Sequence, residues 1–216
     1  MAWFRNYWYR FGGGMVICFV VYLLIAEPHW SQTTWLLIIN LIALITHQLE
    51  EYQFPGGAPL VINRVIYDEH ELTDHYPGNT LSICIVNVSA WVIYFIAIMF
   101  PNWYWLGLGV VMFSLFQILG HCVQMNVKMH TWYNPGMATT LLLFLPIGIA
   151  YIYEVQFNHL VNGWTWCAGF LTLVMCILLT IVLPVQTFKN KQTKYRMSDW
   201  QVERFRKVTS FARIGH

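Results

Sequence analysis

Six apolar stretches follow one another along the chain, each close to the length that crosses a bilayer. A hydrocarbon core about 30 Å thick needs roughly 20 helical residues. The stretches run about 12–26, 33–53, 79–100, 103–125, 136–153 and 163–188. The first is short, and Trp3, Tyr7, Trp8 and Tyr9 flank it, residue types that favour the membrane–water boundary. Arg5 and Arg10 precede it as in a secretory signal, but it ends at Glu27-Pro28 without a small-residue cleavage site, so it reads as a retained helix. Phe54-Pro55-Gly56-Gly57, Tyr76-Pro77-Gly78-Asn79, Pro101-Asn102 and Asn134-Pro135-Gly136 punctuate the stretches. Pro146 and Pro184 fall inside the fifth and sixth and predict kinks there.

Composition excludes the soluble alternative. Only 10% of the 216 residues are charged and 57% are hydrophobic, against about 25% charged in soluble domains. The expected fold class is therefore all-α, a polytopic bundle of about six transmembrane helices over residues 1–188, followed by a basic amphipathic tail, 189–216. The five cysteines are odd in number, form no CxxC, and sit in or beside apolar runs, so they read as small apolar residues rather than a disulfide framework or zinc ribbon. The GxGxxG, Walker, GxSxG and HExxH patterns are absent, as are internal repeats.

Orientation follows from the basic residues. The connections after helices one, three and five carry no Lys or Arg, whereas those after two and four carry Arg64 and Lys128. Arg5 and Arg10 lie before the first helix and the remaining eight lie in the tail. Six crossings thus put all twelve on one side, which predicts that both termini are cytoplasmic in the cell membrane.

Ionisable residues inside spans are rare and point to function. Here they gather at one depth. His47, Glu50 and Glu51 end the second helix, and His121 lies at a similar depth in the fourth. Asn87 lies about 12 Å into the third, at 1.5 Å per residue. His70, His75 and His130 lie in the adjoining loops. At about 100° per residue, His47 and Glu51 are about 40° apart and Glu50 about 60° to the other side, so all three can share one face. An imidazole and two carboxylates on one turn form half of a metal site suited to zinc, iron or manganese. By analogy with inverted zinc-hydrolase motifs, His47, Glu51 and His121 are the expected ligands and Glu50 the general base. A metal-bound water with a pKa near 7 would then permit hydrolysis near the headgroups. A two-metal version with bridging carboxylates would suit oxidative chemistry instead.

The run His47-Gln48-Leu49-Glu50-Glu51, followed by Tyr52-Gln53-Phe54-Pro55-Gly56, resembles the signature of the HXXEE-domain membrane proteins. Ile85-Val86-Asn87-Val88, Gly120-His121 and Tyr133-Asn134-Pro135-Gly136 are similar to that family's later polar positions, over about 36–146. The resemblance implies a multi-helix membrane protein of unknown function with suspected enzymatic activity, and it carries His47, Glu50, Glu51, Asn87 and His121 as candidate positions.

The resulting expectation is a metal-dependent membrane hydrolase. It uses a divalent metal ion, zinc first, and acts on a lipid or amphiphilic substrate at the cytoplasmic leaflet. Membrane lipids are its expected partners and nucleic acid is not. A transporter or metal-ion carrier using the same residues is the alternative, as is a receptor or accessory subunit whose basic tail recruits a partner.

Overall fold

The computed structural model describes residues 2–213, all-helical with no strand among them; the last three residues of the expected tail lie outside that range. Six helices are long and apolar enough to cross a membrane: α1 (Ala2–Ala26), α2 (Gln32–Tyr52), α4 (Thr80–Met99), α5 (Tyr104–Met129), α6 (Met137–Phe157) and α7 (Gly163–Phe188). Two shorter helices join them at one end, α3 (residues 58–66) and α8 (Asp199–Phe211). The chain is a multi-pass membrane protein.

Local chemistry sets the helix starts. The Ser31 hydroxyl accepts from Thr34 N at 3.2 Å, and Asn79 and Asn162 each form a reciprocal capping box with Ser82 and Thr165. The kinks expected at Pro146 and Pro184 take the form of π turns just ahead of them, Thr140–Phe144 and Ile177–Val182. Proline has no N–H to complete the regular ladder, and a widened turn accommodates the gap.

α1 begins earlier than its apolar run implies. The segment before Gly12 is helical as well, with one break at Tyr7 (φ −134°, ψ 20°), and Trp8 and Tyr9 bury against Tyr52. α5 and α6 each run a turn further than expected, to Met129 and Phe157.

α2 is the central helix, touching α1, α4, α5 and α6. In its most apolar stretch 61% of residues are buried, against 11% for α1. α1 instead presents Ile17, Leu24 and Ile25 outward, a surface that lipid covers and water would not. α5 and α7 approach closely at small residues: a Cβ on Gly169 would lie 2.9 Å from Leu108 Cβ.

The tail does not stand apart from the bundle. Gln201 accepts from Gly57 N at 3.1 Å and donates to Tyr52 O at 2.8 Å, and Val208 is buried among Val61, Val65, Met125 and Met129. Its approach is pinned by Met197 N to Asp74 O at 2.8 Å and Arg196 to Asp74 at 3.1 Å. The tail helix packs Phe205 and Val208 on α3 and the end of α5 and leaves Phe211 exposed. The helix order puts all twelve Lys and Arg at this end, here called the basic end.

Candidate metal centre

At the basic end α2 buries its polar last turn against α5 and the start of α6. His47 and Glu51 are one turn apart on α2, and His121 sits in a π turn of α5, Leu119–Met125. π turns re-aim side chains and recur at functional sites. All three residues are buried, and one ligand atom from each lies within 4.8 Å of the others.

The surroundings fix which nitrogen faces inward. His47 Nδ1 lies 3.1 Å from Gly136 O and 3.0 Å from Thr139 Oγ1. A backbone carbonyl only accepts, so Nδ1 carries the proton and Nε2 keeps its lone pair. His121 Nδ1 lies 2.7 Å from Asn134 Oδ1. The Asn134 amide can be placed only one way, because its Nδ2 faces two oxygens, His121 O and Asn126 Oδ1, each at 2.7 Å. His121 Nδ1 therefore donates, and its Nε2 also points a lone pair inward. Glu51 Oε1 lies 3.7 Å from His47 Nε2 and 3.5 Å from His121 Nε2. These exceed hydrogen-bond lengths. They approach the roughly 3.3 Å that separates ligands around a tetrahedral ion with bonds near 2.0–2.1 Å. Three acceptors thus converge, with both imidazoles oriented from behind as metal-bound histidines are.

Gly136 makes the arrangement possible. It holds φ +103°, and a Cβ there would lie 2.8 Å from His47 Cε1 and 2.9 Å from His121 Nδ1. Only glycine fits both the backbone angle and the two rings.

A family model described as a protein of unknown function with HXXEE motif matches residues 35–151, more than half of the chain. The chain belongs to the HXXEE family. No curated protein and no solved structure matches it.

In this HXXEE protein the two glutamates of the motif have different surroundings. Glu51 faces the imidazoles. Glu50 accepts from Tyr133 Oη at 2.9 Å, Ala138 N at 3.1 Å, Thr139 N at 2.8 Å and the Thr139 hydroxyl. A carboxylate offers about four lone-pair sites, and here all are taken. That is the environment of an anchor at a helix start, not of the general base expected at Glu50. Burial raises the Tyr133 phenol pKa and the adjacent Glu50 charge raises it further, so the phenol keeps its proton and donates.

The other candidates lie elsewhere. Asn87 is on α4, bonded to Gln48, Tyr52 and its own helix at Ile83 O. His75 has both ring nitrogens engaged, Nδ1 with Asp74 at 2.6 Å and Nε2 with Lys191 O at 2.9 Å, and so has neither free for an ion. His70 is paired with Asp68 in the exposed loop, and His130 is exposed at the end of α5 with φ +47°. The side chains that orient the imidazoles, Asn134 and Thr139, were not among the expected site residues. The Tyr133-Asn134-Pro135-Gly136 run carried the available signal, a polar turn abutting an apolar helix.

Proposed function

We propose that this HXXEE protein is a metal-dependent membrane enzyme whose centre is His47, Glu51 and His121. The observation that carries the reading is the convergence of two oriented Nε2 lone pairs and a carboxylate, with protein donors turned outward. Two histidines and a glutamate are the ligand set of catalytic zinc sites that keep a position for water; iron or manganese suits the same donors. When bound, such an ion lowers the pKa of its water to about 7 and supplies a hydroxide nucleophile. Gly136 O and Asn134 hold the imidazoles, while Glu50 fixes the start of α6 that carries Gly136 and Thr139. Glu50 is therefore a positioning residue.

The site shares the basic end of the bundle with Trp8, Tyr9 and Tyr52, residue types that favour the membrane–water boundary, which supports hydrolysis of a lipid or other amphiphile. The one-sided basic residues support a cytoplasmic orientation of this end in the cell membrane. The test is turnover of ester-, amide- and phosphoester-linked amphiphiles by metal-loaded protein in liposomes. At least one class should be hydrolysed, with loss of more than a thousandfold in His121→Ala. Equal rates in the variant would overturn the assignment.

A carrier reading rests on one observation. Ser114 links Asn40 and Tyr94 at 2.9 and 2.7 Å in the buried middle of the bundle, and Asn40 Nδ2 has no partner. Metal flux into the same liposomes without turnover would favour it.

A further inference from the structure

The proposed metal centre is buried: His47 and His121 are each 2% exposed and Glu51 8%. Within the bundle it is walled by Phe144, Asn134 and Gly136, all buried. Toward the basic end the spanning helix itself runs out, because α2 stops at Tyr52, one residue past Glu51. What lies over the centre there is α3 and the tail helix α8.

α8 touches each segment that carries the site. Gln201 Nε2 donates to Tyr52 O at 2.8 Å, at the residue after Glu51. Met125 and Met129, one and two turns beyond His121 on α5, bury in one cluster with Val61 and Val65 of α3 and with Val208 and Ala212 of the tail. Arg213 N donates to Met129 O at 2.9 Å. Phe211 lies against Tyr133, ring centroids 6.1 Å apart, and Tyr133 donates to Glu50. Gly57 shapes the seat. It holds φ +90°, and a Cβ there would lie 2.7 Å from Phe205 N and 2.9 Å from Arg204 C. Backbone meets backbone at that point, which only glycine permits.

The attachment is nevertheless light. Gln201 and Val208 are the buried residues of α8. Docking also leaves Arg204 Nε buried without a partner, and Ser198 stands at the N-cap of α8 without capping it. Water satisfies both when the helix lifts. Segments with few buried apolar contacts open locally at a cost well below that of global unfolding.

We propose that α8 is a lid on the metal centre. Docked, it seals the approach from the basic end. Lifted, it lets an ion, water and the head of an amphiphilic substrate reach His47, Glu51 and His121. The inference rests on the metal reading of those residues and adds that the tail controls access to them.

Two variants outside the centre lift the helix by different means. Gly57→Ala sets a methyl against the α8 backbone, and Val208→Asp places a charge in the apolar cluster. In metal-loaded protein, removal of the ion by excess EDTA should be about tenfold faster or more in both. In metal-free protein, diethylpyrocarbonate should modify His121 faster by a similar factor, read by mass spectrometry of its peptide. Alkylation of Cys176, buried in the bundle core, reports general loosening and should keep its wild-type rate. Wild-type rates in both variants, or a rise matched at Cys176, overturn the lid. A wild-type protein that holds no metal removes the centre instead, and the His121 measurement then decides the lid on its own.

Discussion

The last turn of α2 carries two polar faces, and they are built on opposite principles. One face turns to α4. Gln48 donates to Asn87 at 3.1 Å and accepts from Trp91 Nε1 at 2.6 Å, and Asn87 donates to Tyr52 and Ile83 O. Donors and acceptors there alternate. The other face turns to α5 and α6, and its donors are all spent outward, so that His47, Glu51 and His121 meet as acceptors. A matched network holds helices together and needs nothing further. A convergence of acceptors in a buried site calls for a proton or a cation between them, and the proposed centre places a metal ion there. The contrast separates a structural cluster from the proposed binding centre, although both share a depth and a helix turn.

The comparison breaks first at the ligands. His121→Ala or Glu51→Gln should abolish stoichiometric metal, a loss larger than the 10–100-fold typical of outer partners. Elemental analysis checks this, and retained metal would mean the acceptors serve another purpose. Gly136→Ala should follow, because it strains the backbone at φ +103° and presses on both rings. A cost of about 1–3 kcal/mol or more is expected, read as lower thermal stability together with weaker metal binding. Asn134→Ala removes the support behind His121 Nδ1 along with the bonds to His121 O and Asn126 Oδ1, so affinity should fall about 10–100-fold with a smaller loss of thermal stability.

On the matched face the signature reverses. Asn87→Leu should cost about 1–3 kcal/mol by leaving Gln48 Nε2 without its acceptor yet leave metal stoichiometry unchanged. Replacing Gln48 and Asn87 together by leucine should recover part of that loss. Metal loss in Asn87→Leu would show that the two faces are one unit.

The smallest effect concerns the tail. Burial raises the Asp74 pKa, but its bond and charge interaction with His75 and the Arg196 guanidinium outweigh this and hold it below the ordinary 3.8. A depressed folded value adds stability above the ordinary pKa and loses it as pH falls further. Tail docking should therefore be unaffected near neutrality and weaken below about pH 4, seen as faster amide exchange at Met197. Weakening that begins on the alkaline side would assign the clasp to another group.

Depth along each helix was legible in the sequence, and rotation between helices was not. Hydropathy placed the spans because the bilayer sets a length. The 3.6-residue period placed His47 and Glu51 on one face, and matched depth picked out His121. The same depth argument also brought in Asn87, which lies beside the site in level but faces Gln48, about 100° around α2 from His47. Glu50 stood on the expected face, but its four donors come from residues 133–139, more than eighty positions away. Such pairings arise only when α6 docks. Asn134 and Gly136 were hidden for the same reason, as was the docking of the tail helix on α3.

The central claim is that two imidazole nitrogens and one carboxylate oxygen bind a single ion. X-ray absorption of the purified protein, at the edge of whichever metal elemental analysis finds, tests it most directly. The account predicts two nitrogen ligands and at least one oxygen at about 2.0–2.2 Å, and loss of that shell in Glu51→Gln. A metal-free wild-type protein, or a sulfur-rich shell from the cysteines, would contradict it.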